Sequence, residues 1–343
     1  MSKNKPKHTT IGGQALIEGI MMRGPSKTVV VCRAPNGEIR EKELTSNRTK
    51  FKKIIMKFPF LRGAFGLIDS MILGNKALMI SAEIAMEDEN ILEDESDENA
   101  VNPPEKSKAT KIFSTILMWF AAAIGIAVGV LLFAWLPSFL FDTVNGWVNG
   151  EISQFRVFFE GLVNIILFVS YISIVALMRD IKRLFMYHGA EHMAIAANEA
   201  KVELTVESVR KYSRFHPRCG TSFLVLMIVV SLVVRSILAY TFPVLTEPQN
   251  RLLWVGLGIL MMPIMIGLGY ELIKIAGRFD NIFTKIISAP GMWVQRITTK
   301  KPDDSMLEVA ICSLKAVLEN DDEVPNGAQC SVGSISGGEP KSE

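Results

Sequence analysis

This chain contains few cysteines and few histidines, and its net charge is small. Its 343 residues include 4 cysteines and 4 histidines, and the formal net charge at pH 7 is +2. The cysteines are scattered without paired spacing, so no disulfide framework is expected; they are Cys32, Cys219, Cys312 and Cys330. So small a net charge does not provide the basic surface that binds nucleic acid, and we expect no nucleic-acid partner.

Apolar residues are abundant and are concentrated in long blocks. They make up 49% of the chain, and a helix crosses a bilayer with about 20 consecutive apolar residues. Four blocks are long enough, at about 112–141, 157–178, 222–240 and 252–273. The sequence predicts a mainly α, polytopic membrane protein with about four transmembrane helices, whose principal partner is the lipid bilayer.

The loops between these blocks differ in their content of basic residues. The loop 179–221, between the second and third blocks, contains Arg and Lys throughout, whereas the two loops on the other side contain only Arg251. Because cytoplasmic loops of membrane proteins carry the excess of Lys and Arg, we expect this loop and both termini to be cytoplasmic.

Residues 1–86, which precede the blocks, are predicted to form a cytoplasmic or interfacial region. It contains a short β-hairpin with strands at 28–33 and 39–44, joined by a Pro-Asn-Gly turn. Residues 58–85 are apolar but interrupted by charge, which favours an amphipathic helix at the membrane surface and leaves a re-entrant segment open.

The remaining regions follow from composition. Residues 87–110 are expected to be an acidic linker, and 111–280 to form the transmembrane bundle, with the loop 179–221 carrying the candidate site. A cytoplasmic helix is expected within 281–318, and the Gly- and Ser-rich tail 319–343 is expected to be disordered.

Three of the four histidines fall between positions 188 and 216. A helix through His188-Gly-Ala-Glu191-His192 places the two histidines one turn apart on one face, where two imidazoles can bind one metal ion. The order His-x-x-Glu-His is that of the inverzincin metallopeptidases, in which the glutamate is the general base. We predict His188 and His192 as ligands of a divalent metal, zinc first, and Glu191 as the catalytic base or a further ligand. Surface histidines at a basic interface are the alternative.

A second cluster lies just before the third block. His216 could supply a third ligand, and Cys219, beside Arg218 at a helix N-terminus, is expected to have a depressed thiol pKa. Cys219 is therefore either a metal ligand or a nucleophile, with a buried structural cysteine as the alternative. Glu271, inside the fourth block, is predicted as a carboxylate ligand or its partner, because an unpaired charge there would be costly.

Five motifs resemble the YqhQ-like family of bacterial multi-pass membrane proteins, a family of unknown function described as predicted metal-dependent enzymes. They are GGQALIEGIMMRGP at 12–25, FPFLRG at 58–63, YHGAEH at 187–192, RFHPRCGTSF at 214–223 and APGMWVQRITTKKPDD at 289–304. The resemblance implies a metal-dependent enzyme in a bacterial plasma membrane. Within its motifs, Glu18, Arg23, Arg62 and Arg218 are further candidates to surround the site. Glu18 and Arg23 could form part of a lid, and solvent-exposed side chains are the alternative that the pattern alone favours for these two.

The sequence thus favours an integral-membrane metal-dependent enzyme, first of all a hydrolase that acts on a peptide or lipid substrate at the cytoplasmic interface. Two other functions stay open at this point. One is a transporter or sensor for a metal ion or proton, and the other is a membrane scaffold with a structural metal. The oligomeric state does not follow from the sequence.

Overall fold

The computed structural model describes residues 11–44, 58–59, 61–94, 117, 120–121, 123–246, 250–278, 281–318 and 332–334. These residues form a mainly helical protein with one small β-sheet, which confirms the predicted fold class. The predicted tail 319–343 lies outside the described residues except for one short strand.

The sheet is built mostly from one continuous stretch near the N-terminus. Strands β1 (Gly12–Leu16), β2 (Gly19–Arg23), β3 (Thr28–Arg33) and β4 (Ile39–Leu44) pair antiparallel in chain order. The short β5 (Val332–Ser334) adds to β4 in parallel. The predicted hairpin is therefore present as β3 and β4.

The first hairpin, β1 with β2, was not predicted. Its turn is Ile17-Glu18, and of these two residues only Glu18 has a positive φ, 50°, as the second central residue of a type II turn does. Every side chain of β2 except that of Arg23 is buried, so the strand shows no polar alternation. These two properties hide the hairpin from pattern reading.

Five described helices are long and apolar enough to cross a membrane, and the protein is a multi-pass membrane protein. The five segments are Leu61–Met86, Ala123–Trp147, Ser153–Val175, Gly220–Thr241 and Leu253–Ile275. The last four correspond to the predicted blocks. The first lies where the sequence predicted an interfacial helix, and it belongs to α1 (Leu61–Asp94), which continues into the predicted acidic linker.

The remaining helices follow in chain order. They are α2 (Ala123–Trp147), with a π-helical stretch at Leu131–Trp135, α3 (Arg156–Val175), α4 (Arg179–Glu199), α5 (Val206–Val209), α6 (Gly220–Thr241), α7 (Arg251–Arg278), α8 (Ile282–Thr298) and α9 (Asp304–Leu318).

The second membrane helix does not run on into the histidine motif. Helix α3 ends at Val175, and Met178, with φ −64° and ψ 137°, is the extended N-cap of α4. The sequence analysis placed the end of the second span at about 178; the structure ends that helix at Val175 and begins a new helix at Arg179. Asp180 in its first turn favours this start through the helix dipole.

The chain divides into two compact units. One comprises 1–89, 173–227 and 260–343, and the other comprises 90–172 and 228–259. The first unit has a core in which α4 and α9 cover one face of the sheet. Its fully buried side chains include Met22 and Val29 from the sheet, Tyr187 from α4, and Met306 and Leu314 from α9.

The second unit contains helix–helix contacts typical of a membrane bundle. The rings of Phe141 and Phe159 meet edge to face at 5.5 Å, and Arg156 lies 4.6 Å above the Phe141 ring. Deeper in this unit, the Arg235 guanidinium lies 5.3 Å from the centre of the Trp254 ring. Such a contact offsets part of the cost of a cation within an apolar helix.

The core around α9 yields a stability prediction. Leu314→Ala removes a fully buried side chain and should lower the free energy of unfolding by about 2–5 kcal/mol. Ile17→Ala, at a turn position where the side chain is 43% exposed, is the matched control and should change it by less than about 0.5 kcal/mol. Thermal unfolding in detergent, followed by circular dichroism, measures both. Equal effects would contradict the packing described here.

Candidate metal site

Helix α4 presents His188 and His192 one turn apart, and each ring is fixed through its Nδ1 atom. His188 Nδ1 lies 2.8 Å from the carbonyl oxygen of Thr298, and His192 Nδ1 lies 2.6 Å from that of Arg214. A carbonyl oxygen only accepts hydrogen bonds, so Nδ1 carries the proton in both rings. Nε2 is thereby left as the atom that can bind a metal, which is the orientation common to metal-binding histidines.

Cys219 completes this group. It directly precedes α6, and its Sγ atom lies 3.1 Å from His188 Nε2. The ligand atoms of His188, His192 and Cys219 all lie within 4.8 Å of one another. Around a tetrahedral zinc with bonds of about 2.0–2.3 Å, ligand atoms are separated by distances of this order. These three residues could therefore hold a metal ion.

The electrostatics of the group favour a thiolate. Burial raises the pKa of Cys219, but hydrogen bonds and positive charge from His188 and His192 outweigh it and hold that pKa well below the usual value. Burial lowers the pKa of His188, but the hydrogen bond to Cys219 has the opposite effect. The resulting pKa of His188 is raised to about 9. The thiolate, rather than the thiol, is the form that binds metals and attacks electrophiles.

Glu191 lies between the two histidines in sequence and is buried. The backbone N–H of Gly13, on β1, hydrogen-bonds to its carboxylate, while Oε2 has no hydrogen-bond partner among the described residues. Burial raises the pKa of Glu191, and the nearby histidines oppose this rise only in part. A buried carboxylate oxygen without a partner is costly, and it is expected where a ligand or water supplies the partner.

Helix α8 holds two parts of the site in place through hydrogen bonds. The fully buried side chain of Gln295 accepts a hydrogen bond from the backbone N–H of His216 at 2.8 Å. Its amide nitrogen donates to the His216 carbonyl and to Ser222 Oγ, both at 2.7 Å. One turn later, Thr298 supplies the carbonyl that fixes His188. This single helix therefore fixes both the segment before Cys219 and a ring of the histidine pair.

The segment that follows α8 is held against α4 by close backbone packing. The backbone N–H of Lys300 donates to the Phe185 carbonyl at 2.8 Å. The Lys300 carbonyl lies so close to Gly189 that a Cβ atom there would stand 2.1 Å away. Only glycine fits at this position, between the two histidines.

His216 is placed beside the three-residue group but is directed elsewhere. Its ring centre lies 5.7 Å from that of His192. Its Nδ1 accepts a hydrogen bond of 3.4 Å from the backbone N–H of Arg218, and its Nε2 lies 3.6 Å from Glu199. The structure therefore places His216 in a hydrogen-bonded network with Glu199, which also forms an ion pair with Arg218, where the sequence analysis offered His216 as a third ligand.

Glu199 is the centre of that network. Burial raises its pKa, but the hydrogen bond from His216 and the charge of Arg218 outweigh this and lower it to about 2. Arg218 thus binds the carboxylate of Glu199 near the site. The sequence did not indicate this role for Arg218. Glu199 itself was missed, because its sequence spacing from the second cluster carries no signal.

Glu271 and the proposed lid residues are not members of the three-residue group and form ion pairs of their own. Arg62 Nε donates to Glu271 Oε1 at 2.6 Å, in a two-pronged ion pair. Glu18 pairs with Arg183, and Arg23 pairs with Asp69 at 3.1 Å. The N-terminal motif does cover the site, but through the backbone of Gly13 and not through Glu18 or Arg23.

Three residues that build the site were not singled out from the sequence: Gly13, Gln295 and Thr298. None of them has a side chain that attracts attention in a search for ligands. Each lies within one of the motifs at 12–25 and 289–304, so the motifs marked the segments without identifying the residues. The contacts of these three residues join positions that are 73 or more residues apart, which spacing along the chain does not reveal.

Comparison with known proteins shows the family of this chain. The family described as "Protein of unknown function (DUF1385)" matches residues 58–320, and the chain belongs to that family. The chain is also 30% identical over 319 residues to the "Uncharacterized protein YqhQ" of Bacillus subtilis (strain 168), which covers 93% of this chain and 95% of that protein. No solved structure matches the chain.

The contact between Gly13 and Glu191 yields a prediction. A Cβ atom at position 13 would stand 2.9 Å from the Glu191 carboxylate and 2.8 Å from the Met21 carbonyl. Gly13→Ala should therefore lower the free energy of unfolding by about 1–3 kcal/mol. Gly12→Ala is the matched control, because a Cβ atom at position 12 would meet nothing within 4 Å. Similar unfolding temperatures for the two variants would contradict the placement of Glu191 under β1.

Proposed function

We propose that this protein is a membrane-embedded metal-dependent hydrolase. His188, His192 and Cys219 bind a divalent metal, most simply Zn²⁺, and Glu191 is the general base. The observation that carries the proposal is the combined orientation of these groups. Both histidines are fixed through Nδ1, which leaves Nε2 as the atom that can bind a metal, and the buried Glu191 Oε2 has no partner among the described residues.

The donor set favours zinc and an open site. Imidazole nitrogen together with thiolate sulfur is a typical zinc-binding combination. Structural zinc sites are usually closed by four protein ligands, whereas catalytic ones have three and keep one position for water or substrate. Among the described residues the group has three members, and the neighbouring His216 is committed to Glu199. This supports a catalytic site over a structural one.

The chemistry follows from the positions of the side chains. A zinc ion held by His188, His192 and Cys219 would supply Lewis acidity, which polarises a carbonyl and lowers the pKa of water. Glu191 is held by the Gly13 N–H on one oxygen, which leaves Oε2 to accept a proton from the attacking water and to return it to the leaving group. Burial raises the pKa of Glu191, which is the direction that suits a general base near neutral pH.

The location of the site supports a substrate at the membrane interface. Cys219 directly precedes a membrane-spanning helix. Helix α8, which supports the site, exposes Ile282, Phe283, Ile286 and Trp293 at helical spacing, and a stripe of this kind with Trp is typical of the headgroup layer. We propose a peptide bond of a membrane protein or an ester of a lipid as the substrate, reached from the cytoplasmic side that the loop charges indicate.

One observation supports a second candidate, a cysteine-nucleophile hydrolase without metal. Cys219 Sγ and His188 Nε2 are 3.1 Å apart, and the Thr298 carbonyl orients the histidine. This is the arrangement of a thiolate nucleophile, its base and an orienting group. It gives no role to His192 or to the unpartnered oxygen of Glu191, which is why the metal site is preferred.

Metal content separates the two candidates. The detergent-purified, full-length protein should contain about one zinc per chain, as expected for one three-ligand site. His192→Ala and Cys219→Ala should each lower metal affinity by at least about 10–100-fold. His216→Ala is the matched control and should retain the metal, because His216 lies outside the group. Elemental analysis measures this, and wild-type protein without bound metal would favour the cysteine mechanism.

Glu191 can be tested without disturbing the ligands. Glu191→Gln should retain the metal and lower the hydrolysis rate by about 10²–10⁴-fold, because the amide cannot accept the proton. The exposed Glu207→Gln is the control and should leave the rate unchanged. The assay compares release of fatty acids from vesicles of bacterial polar lipids with cleavage of reconstituted membrane proteins. A Glu191→Gln variant as active as the wild type would rule out Glu191 as the base.

A further inference from the structure

Helix α1 has two separate apolar faces. One face packs on the β-sheet through Leu73, Ala77 and Ile84, all buried. The other face is exposed and carries an apolar residue at almost every turn: Leu61, Phe65, Ile68, Ile72, Met79 and Met86, each between 41% and 67% exposed. Their spacings of three, four and seven residues place them in one narrow stripe. Both faces together make the helix as apolar as a membrane span.

The sheet contact leaves too little of α1 free to cross a bilayer. An open sheet with strand edges does not lie in the hydrocarbon region, because its backbone groups would have no partners there. Helix α1 is tied to the sheet from Asp69, which pairs with Arg23 on β2, to Ile84. The eight residues before Asp69 extend about 12 Å and the ten after Ile84 about 15 Å. A crossing requires about 30 Å.

The course of the chain gives the same result independently. Among the described residues, three segments of sufficient apolar length, in α1, α2 and α3, lie between the sheet and α4. If all three crossed, the sheet and α4 would be on opposite sides of the bilayer. They share one core, with Met22 and Tyr187 both fully buried in it. An even number of crossings is required, and α1, the least apolar of the three, is the one that does not cross.

We propose that α1 lies along the surface of the bilayer, with the sheet on one face and the stripe from Leu61 to Met86 inserted into the headgroup layer of the adjacent leaflet. The occupant of the exposed face is therefore lipid. Continuity with the membrane region supports this choice: Arg62, at the start of α1, pairs with Glu271 near the end of the span in α7. The first turn of α1 thus lies at the level where that span leaves the hydrocarbon.

Depth measurement along α1 tests the proposal. Phe65→Cys, Ile72→Cys and Met79→Cys, each in the full-length protein reconstituted in phosphatidylethanolamine–phosphatidylglycerol vesicles, are labelled with a small fluorophore. Lipids brominated at different chain positions then quench it according to depth. A helix along the surface gives one shared depth, about 5–10 Å into the headgroup boundary. A crossing helix gives a difference of up to about 20 Å between positions 65 and 79.

Two controls make the result decisive. Leu253→Cys and Ile264→Cys, on the span in α7, should differ in depth by about 16 Å and so calibrate the method. The parent protein, in which Cys32 and Cys219 are buried, gives the background labelling. A graded depth along α1 would overturn the proposal in favour of a fifth crossing. Uniform absence of quenching would overturn it as well, because the stripe would then face something other than lipid.

Discussion

Burial of one sheet face by two helices that are distant in sequence is the constraint on which the other features depend. Helices α4 and α9 begin more than a hundred residues apart, yet both need the apolar face that β2 and β3 provide. Once α4 lies there, its opposite side turns toward the segment before α6, and the two histidines face Cys219. The same packing places β1 over Glu191. Hydrophobic burial supplies most of the free energy, and the chemical site is assembled as its consequence.

The candidate site is then refined by hydrogen bonds from main-chain atoms. Thr298 and Arg214 orient the two imidazoles through their carbonyls, and Gly13 contributes its N–H to Glu191. Main-chain groups of a packed core move little, so they hold the rings with less loss of side-chain entropy on binding than flexible partners would. The geometry of this group, which could hold a metal ion, is well defined although three of its supports come from separate parts of the chain.

Reading the sequence succeeded where the signal was local. Apolar length identified four spans, a turn motif identified the β3–β4 hairpin, and spacing identified the histidine pair with Cys219 as a neighbour. Reading failed where the decisive contact was distant. Nothing near Glu271 in the chain indicates that Arg62 pairs with it, and nothing near His216 indicates Glu199. The break at Met178 was missed because the apolar run continues to that residue while its backbone leaves the helical conformation.

Gly189, between the two histidines, allows two motifs that are distant in the sequence to pack closely together. Because the Lys300 carbonyl occupies the space that a Cβ atom would need at Gly189, the segment 298–300 can approach α4 closely enough for Thr298 to reach His188. A larger residue at position 189 would require the segment 298–300 to move away from α4. The two stretches are therefore expected to vary together among relatives, and a search pattern for distant members gains power when it joins the glycine of the histidine motif to the Thr-Thr-Lys-Lys segment.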